Sequence, residues 1–591
     1  MSSRLVLAAL TLLTMSGPTS AALAAGASAP LAKLCDEYWQ GYLAAHPSTA
    51  TSVGDTRYDD RLEDIKPAGI AKEKAWLDGV LTRARAIDEK SLTPADRLTR
   101  TALITELSGQ LAQISCGFEE WVVDPLGGPQ VEFMSLQDYT RVDTPADAAK
   151  FVKRVWAMGG YLEDHVQNLE RGLEKGRTAS HDAVTKVIDQ LNGMVSSPAE
   201  SLAVWKPSMA EHKSWQPSDR FKFSTDLKLA IDSALMPALK RYRDVLQTEI
   251  LPKARPQEKA GLAGMTDGAE CYRRMIQVHT SLDLSPEEVH KLGLEQVAKY
   301  RKDLAELGQK VFGISNVEEI ENKLRTDPAM HFSTAQEVET KARESLAKAN
   351  AAVPKWFGIQ PKAKCTVEVM GMYEAPYSTI AYYREGTPDG KRPGHYMINT
   401  YQPETRPRYE AEALAFHESV PGHHLQIAIA QELKGIPEFR KHQGVTAFVE
   451  GWGLYSERLA NEMGLYSSDT DRLGMLSYDA WRGCRLVVDT GLHSMGWSRQ
   501  QAIDYMKANS CLAENNIVNE VDRYITWPGQ ALAYKLGQLE ILKLRDEAKQ
   551  KLGKNFDIKA FHDAVLSNGA VALPVLDQQV EAWINGAVAA K

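Results

Sequence analysis

The chain has 591 residues, 43% hydrophobic and 25% charged, with a formal net charge of −8. Such a composition suits a globular protein large enough for one multi-lobed body. It excludes a basic nucleic-acid-binding protein, and no Lys/Arg run offers a stripe for phosphates or anionic lipid.

Arg4 precedes an apolar run from Leu5 to Met15, followed by Gly17-Pro18 and small residues. Ala22-Leu23-Ala24 suits a cleavage site, with Thr19-Ser20-Ala21 as a second choice. Residues 1–24 therefore read as a secretory signal peptide. The run is well short of the roughly 20 residues that a membrane span needs. The first cysteine is Cys35, too far along for lipid attachment at the cleavage site. The mature chain is expected to be soluble and exported, periplasmic or secreted, without a membrane anchor. The other cysteines are Cys116, Cys271, Cys365, Cys484 and Cys511, and none forms a Cys-x-x-Cys pair, which argues against a zinc ribbon or thioredoxin-like site. An oxidising compartment permits disulfides, but the sequence does not choose the pairing.

Helical periodicity then dominates, predicting helices over 30–46, 71–90, 96–114, 146–176, 225–250, 286–311, 334–352, 409–434, 445–463, 473–496, 499–509, 529–551 and 575–589. Thr93-Pro94, Thr144-Pro145 and Ser285-Pro286 each place a capping hydroxyl before proline at the first helical position. The periodicity breaks near 255–268, which either divides an N-terminal helical lobe (25–260) from a catalytic lobe (261–591) or is a loop within one domain. Residues 364–400 depart from the pattern. Thr366–Met370, Ile380–Tyr383 and His395–Thr400 are short, β-branched or aromatic, and bounded by Gly, Pro or Asp. Gly386 to Gly390 reads as a hairpin connection. The expected fold is mainly α, with a small sheet just before the helix that carries the chemistry. A strand edge there, His395 to Thr400, is a place for a peptide to pair its backbone.

Three of the 14 histidines fall within 417–424, His-Glu-Ser-Val-Pro-Gly-His-His. His417 and Glu418 form the first half of a zinc-peptidase helix, one imidazole for the metal and one carboxylate for its water. The usual second histidine, four residues on, is replaced by Pro421. His423 and His424 would lie about 9 and 10.5 Å along a regular helix, too far to share one ion. The site works only if Pro421-Gly422 breaks the helix and draws the next turn inward. His423 then needs the smaller distortion, with His424 as the alternative ligand. Glu450, acidic among apolar residues of the next helix, is the third-ligand candidate, with Glu457 as a supporting group or the ligand itself. Further along, Arg482 and Arg485 are candidate clamps for a substrate carboxylate, or members of a buried salt-bridge network with Asp489. Tyr534, His493 and Tyr524 are candidate oxyanion donors. Tyr396 and Asn399, on the strand before the helix, are candidate substrate contacts.

The run His417 to Gln426 resembles the signature of the domain of unknown function 885 family of bacterial exported proteins. Pro47 to Gly54 with Tyr58-Asp59-Asp60, Arg392 to Thr400, Glu450 to Tyr455, Arg485 to His493, Pro528 to Ala531 with Tyr534, and Phe561-His562-Asp563 resemble its other motifs. The resemblance covers nearly the whole mature chain. It implies a mainly helical two-lobed fold around a deep cleft, like the helical zinc peptidases of the oligopeptidase, carboxypeptidase and angiotensin-converting-enzyme types. The expectation is Zn2+-dependent hydrolysis of short peptides, with Glu418 as general base. The alternatives are a zinc hydrolase of a non-peptide amide or ester, using the same residues, and a non-catalytic helical binding protein with a closed structural zinc site.

Overall fold

The computed structural model describes residues 28–372, 375, 378–387 and 392–589. The signal peptide and the Pro388–Gly390 part of the hairpin connection lie outside them. The fold is mainly helical with one three-stranded sheet. The three capped starts behave as their sequences dictate. Helices begin at Pro94, Pro145 and Pro286, and Thr93, Thr144 and Ser285 each accept from the backbone N–H three residues on. Thr144 and Ser285 complete capping boxes with Asp147 and Glu288.

The first half of the chain builds a core around the helices Pro145–Glu174 and His181–Val195, filled by Phe151, Leu162, Val187 and Tyr242. The expected helix over 225–250 is longer and contains two π-helical turns, Ile231–Leu235 and Leu246–Ile250. Pro237 has no N–H to donate, so the ladder widens just before it. The 255–268 break is short irregular structure that leads into a helix at Gly268–Thr280. A Cys116–Cys271 disulfide ties that helix to Pro94–Cys116, bridging segments on either side of the break. Cys35, Cys365, Cys484 and Cys511 are free thiols.

The strands are β1 (Cys365–Val369), β2 (Ala381–Arg384) and β3 (Gly394–Ile398). Their order is β1-β3-β2, with β1 parallel and β2 antiparallel to β3. The expected pairing edge, His395–Thr400, is therefore the central strand, its backbone committed on both sides. Among the described residues, β2 has no partner strand on its outer side and is the free edge beside the chemistry.

Six helices frame the site: α1 (Ala411–Glu418), α2 (His423–Glu432), α3 (Thr446–Glu462), α4 (Asp469–His493), α5 (Glu514–Thr526) and α6 (Ala533–Leu552). The predicted 409–434 helix is thus two helices. β2 packs against α1, and α3 packs along α6 over a core of Phe448, Trp452, Tyr455 and Ile541. Burying each such side chain contributes about 1.5–3 kcal/mol. α4 is buried on every face from Leu473 to His493, so its polar residues must find partners inside the protein. Among the described residues, no helix is long and apolar enough to cross a membrane.

Candidate metal centre

His417 and Glu418 end α1. The backbone leaves helical geometry at Ser419 (φ −107°, ψ −105°), passes a cis Val420–Pro421 bond, and re-enters a helix after Gly422 (φ −80°, ψ −128°). A Cβ on Gly422 would lie 1.9 Å from the His417 carbonyl oxygen and 2.5 Å from that of Phe416, so only glycine fits this turn. α3 clasps the break. Trp452 Nε1 and Ser456 Oγ donate to the Pro421 carbonyl at 2.9 and 3.2 Å.

The break brings His423 back beside His417. Their ring centroids are 4.7 Å apart and the planes are 88° to one another. Glu450 Oε2 lies 3.6 Å from His417 Nε2 and 3.3 Å from His423 Nε2. One ligand atom from each of the three residues lies within 4.8 Å of the others. α3 can come this close because position 453 is glycine. A Cβ there would sit 2.8 Å from His417 Cε1 and Nε2. Glu457, two turns beyond Glu450, accepts from His417 Nδ1–H at 2.8 Å, which turns Nε2 toward Glu450 as the nitrogen a metal would take. Arg482 Nη2 lies 3.6 Å from the same Glu457 oxygen.

The carboxylates and imidazoles of the site favour one another's charged forms. Burial disfavours a charged His417, but hydrogen bonds to Glu450 and Glu457 outweigh it and lift the imidazole to about 9. Burial alone would raise Glu450, yet the imidazoles of His423 and His417 hold it well below the ordinary range. Glu450 Oε2 is sealed from solvent and faces the imidazole nitrogens of His417 and His423 at 3.6 and 3.3 Å. Two imidazoles and one carboxylate are a donor set that could hold a metal ion. Glu418 stands beside them, partly exposed. Burial raises its carboxyl, and the His417 and His423 imidazoles oppose that shift.

The other predicted residues divide. Tyr534 lies over His417, rings 6.3 Å apart and 20° from parallel. Arg485 is sandwiched between the rings of Trp481 and Tyr534, 4.3 Å from each. It also donates to Tyr524 Oη and to Glu520, each at 2.8 Å. Arg482 stacks on Trp481 and Tyr478 at 4.4 and 4.6 Å. Both arginines are buried network members. Tyr396 is buried on β3, and the Glu418 charge adds to burial in raising its phenol.

Four expectations are redirected by partners distant in sequence. His424 accepts from Tyr383 Oη at 3.0 Å and donates Nε2–H to the Ala363 carbonyl at 3.1 Å, so both ring nitrogens face the sheet. His493 accepts from the Leu262 N–H at 3.1 Å and donates to the Tyr524 carbonyl at 2.9 Å, pinning α4 to α5. The Tyr524 hydroxyl is taken up by Trp481 at 2.9 Å and by Arg485. Asn399 donates to the Ala375 and Thr379 carbonyls and shapes the approach to β2. The sequence reading also passed over Gly453, whose missing side chain is invisible as a signal until the helices are packed.

The sequence profile described as bacterial protein of unknown function (DUF885) matches residues 47–580. A solved structure described as a “putative lipoprotein” from Colwellia psychrerythraea superposes with a TM-score of 0.89 at 26% identity, covering 94% of this chain and 99% of that one. A second, from Shewanella oneidensis and described as of unknown function, has a TM-score of 0.70 at 19% identity, covering 93% and 99%, and shows the fold alone. A carboxypeptidase from Pyrococcus furiosus covers 95% of this chain and 98% of its own at 11% identity, but its TM-score of 0.36 carries no argument. No curated protein matches. With its profile match spanning most of its length, this chain belongs to the DUF885 family of bacterial proteins.

Proposed function

We propose that the protein is an exported zinc-dependent peptidase of short peptides, acting as a carboxypeptidase, dipeptidase or oligopeptidase. One observation carries this reading: His417, His423 and Glu450 converge on one point, and the partly exposed carboxylate of Glu418 interacts with both imidazoles. His417, His423 and Glu450 would hold the zinc, with Glu457 fixing the His417 tautomer. The ion supplies a Lewis acid and a bound water of lowered pKa. Glu418 accepts the proton of the attacking water at its carboxylate and returns it to the departing amine. Tyr534, held by the Arg485 stack, is the donor placed to meet the oxyanion. Residues 261–591 form the catalytic part, and 25–260 the lobe that restricts access to extended chains. The Colwellia psychrerythraea relative, described as a putative lipoprotein, supports export.

The test is elemental analysis with peptide hydrolysis before and after chelation. About one zinc per chain, with activity lost on chelation and restored by zinc, is expected. A protein free of transition metal, or one whose activity ignores the chelator, overturns the reading. Rapid digestion of a folded protein would overturn the size limit.

A further inference from the structure

A cavity of about 1020 Å³ opens beside the free edge of β2. Ile380, Tyr382 and Arg384 line it on one side, while Val131 and Tyr139 of the first half of the chain and Asn519 of α5 line it on others. Its size suits a short peptide. The triad residues are not in its walls. Glu520, which holds Arg485 behind Tyr534, is, so the chamber wall connects to the metal centre through the Glu520–Arg485–Tyr534 stack that ends over His417.

Strand alternation determines what β2 presents there. The Asn399 N–H donates to the Ile380 carbonyl, so Ile380, Tyr382 and Arg384 turn their backbone groups toward β3. Ala381 and Tyr383 therefore turn theirs to the open side, although Thr379 Oγ1 already donates to the Ala381 carbonyl at 3.0 Å. Side chains alternate likewise. Tyr383 points to His424, and Tyr382 and Arg384 point to the cavity.

Arg384 is the unusual member of this wall. Among the described residues, its Nε is sealed from solvent without a hydrogen-bond partner, and no side chain forms a hydrogen bond or ion pair with its guanidinium. The other charges of the chamber are mostly committed: Lys186 to Asp522, and Glu520 to Arg485 and Arg523. A guanidinium with a sealed donor, on the free edge of a strand, matches a carboxylate on a neighbouring extended chain. A peptide added to the β2 edge would place every second side chain on the face that Arg384 occupies.

We propose that Arg384 is a specificity-determining residue: a peptide pairs with the outer edge of β2, and Arg384 binds a carboxylate on it. The carboxylate comes from an acidic side chain or from the free C-terminus. This rests on the peptidase reading for turnover, but binding tests it independently. Three matched peptides serve as probes: neutral with an amidated end, the same with one glutamate, and the neutral peptide with a free C-terminus. Their affinities for the zinc-loaded Glu418→Gln protein are measured by calorimetry, and kcat/KM is measured on the unmodified enzyme.

At least one carboxylate-bearing peptide should bind on the order of tenfold tighter than the neutral amide. Arg384→Gln should reduce that ratio to about one, Arg384→Lys should keep part of it, and Arg384→Glu should favour a lysine-bearing peptide. The glutamate and C-terminal arms identify the source of the carboxylate. Equal affinity for all three peptides, no peptide binding, or a preference that survives Arg384→Gln overturns the proposal. Selective binding without hydrolysis would leave it standing and remove the peptidase reading instead.

Discussion

His417 Nδ1 and the Glu457 carboxylate lie 2.8 Å apart, joining the end of α1 to a residue two turns beyond Glu450 on α3. One face of α3 thus supplies both a ligand candidate and the group that orients another ligand. The carboxylate turns Nε2 toward Glu450 as the nitrogen a metal would take, and its negative charge strengthens that nitrogen as a donor.

Glu457→Gln keeps the shape and removes the charge. Zinc affinity should fall about 10–100-fold while helical content is unchanged. Competition against a chromophoric chelator measures this, and an unaltered affinity would remove Glu457 from the site.

Glu418→Gln should retain zinc and lose activity by about 10²–10⁴-fold, because Glu418 is assigned a proton and not the metal. Glu450→Ala should instead lower zinc occupancy. Metal content and kcat, measured together on both variants, separate the roles. Zinc lost from the first and kept by the second would reverse the assignment.

The two adjacent histidines should behave oppositely. His423→Ala should abolish tight zinc binding. His424→Gln should bind zinc normally but lose about 1–3 kcal/mol of stability, since it disturbs the links to Tyr383 and Ala363 that hold α2 to the sheet. Zinc titration and chemical denaturation of each variant decide the matter. Loss of zinc from His424→Gln would contradict the geometry.

His562 carries a pH dependence remote from the metal. It accepts from Tyr455 Oη and donates to the Trp356 carbonyl, each at 2.8 Å, and burial pushes its imidazole from 6.5 down to about 3. The folded state thus refuses a proton that the unfolded chain accepts below about pH 6.5. The stability due to the neutral ring is full above 6.5 and is lost as pH falls toward 3. By pH 5 the loss is about 2 kcal/mol. Urea midpoints of the wild type should therefore fall more steeply from pH 6.5 to 5 than those of His562→Asn. Parallel curves would show that His562 titrates normally.

Much of this protein is legible in short stretches of sequence, because the physics there is local. Thr144-Pro145 with Asp147 dictates a capped helix start whatever surrounds it. Three β-branched and aromatic runs bounded by turn residues mark the sheet. Pro421-Gly422 forces a break wherever the chain goes next, and Glu450 needs a partner among its apolar neighbours. The helices His181–Val195, Val317–Thr326, Glu514–Thr526 and Ile558–Leu566 were not expected. Their stability comes from what they pack against, such as Val187 and Ile188 in the core of the first half and Val565 in the core beside α3.

By itself the sequence determined the helical class, the capped starts, the three strands, and the His-Glu run with Glu450 as the chemically distinctive set. Tertiary structure decided which side chains meet. β3 lies in the centre of the sheet, so the free edge passed to β2. Ala363 and Tyr383 occupy His424, leaving His423 to face Glu450, and Leu262 and the Tyr524 carbonyl occupy His493. Capping and strand-forming tendencies arise within a few bonds of each residue. A ring nitrogen's role depends on whichever donor or acceptor packing delivers to it, here from 31 to 231 residues away.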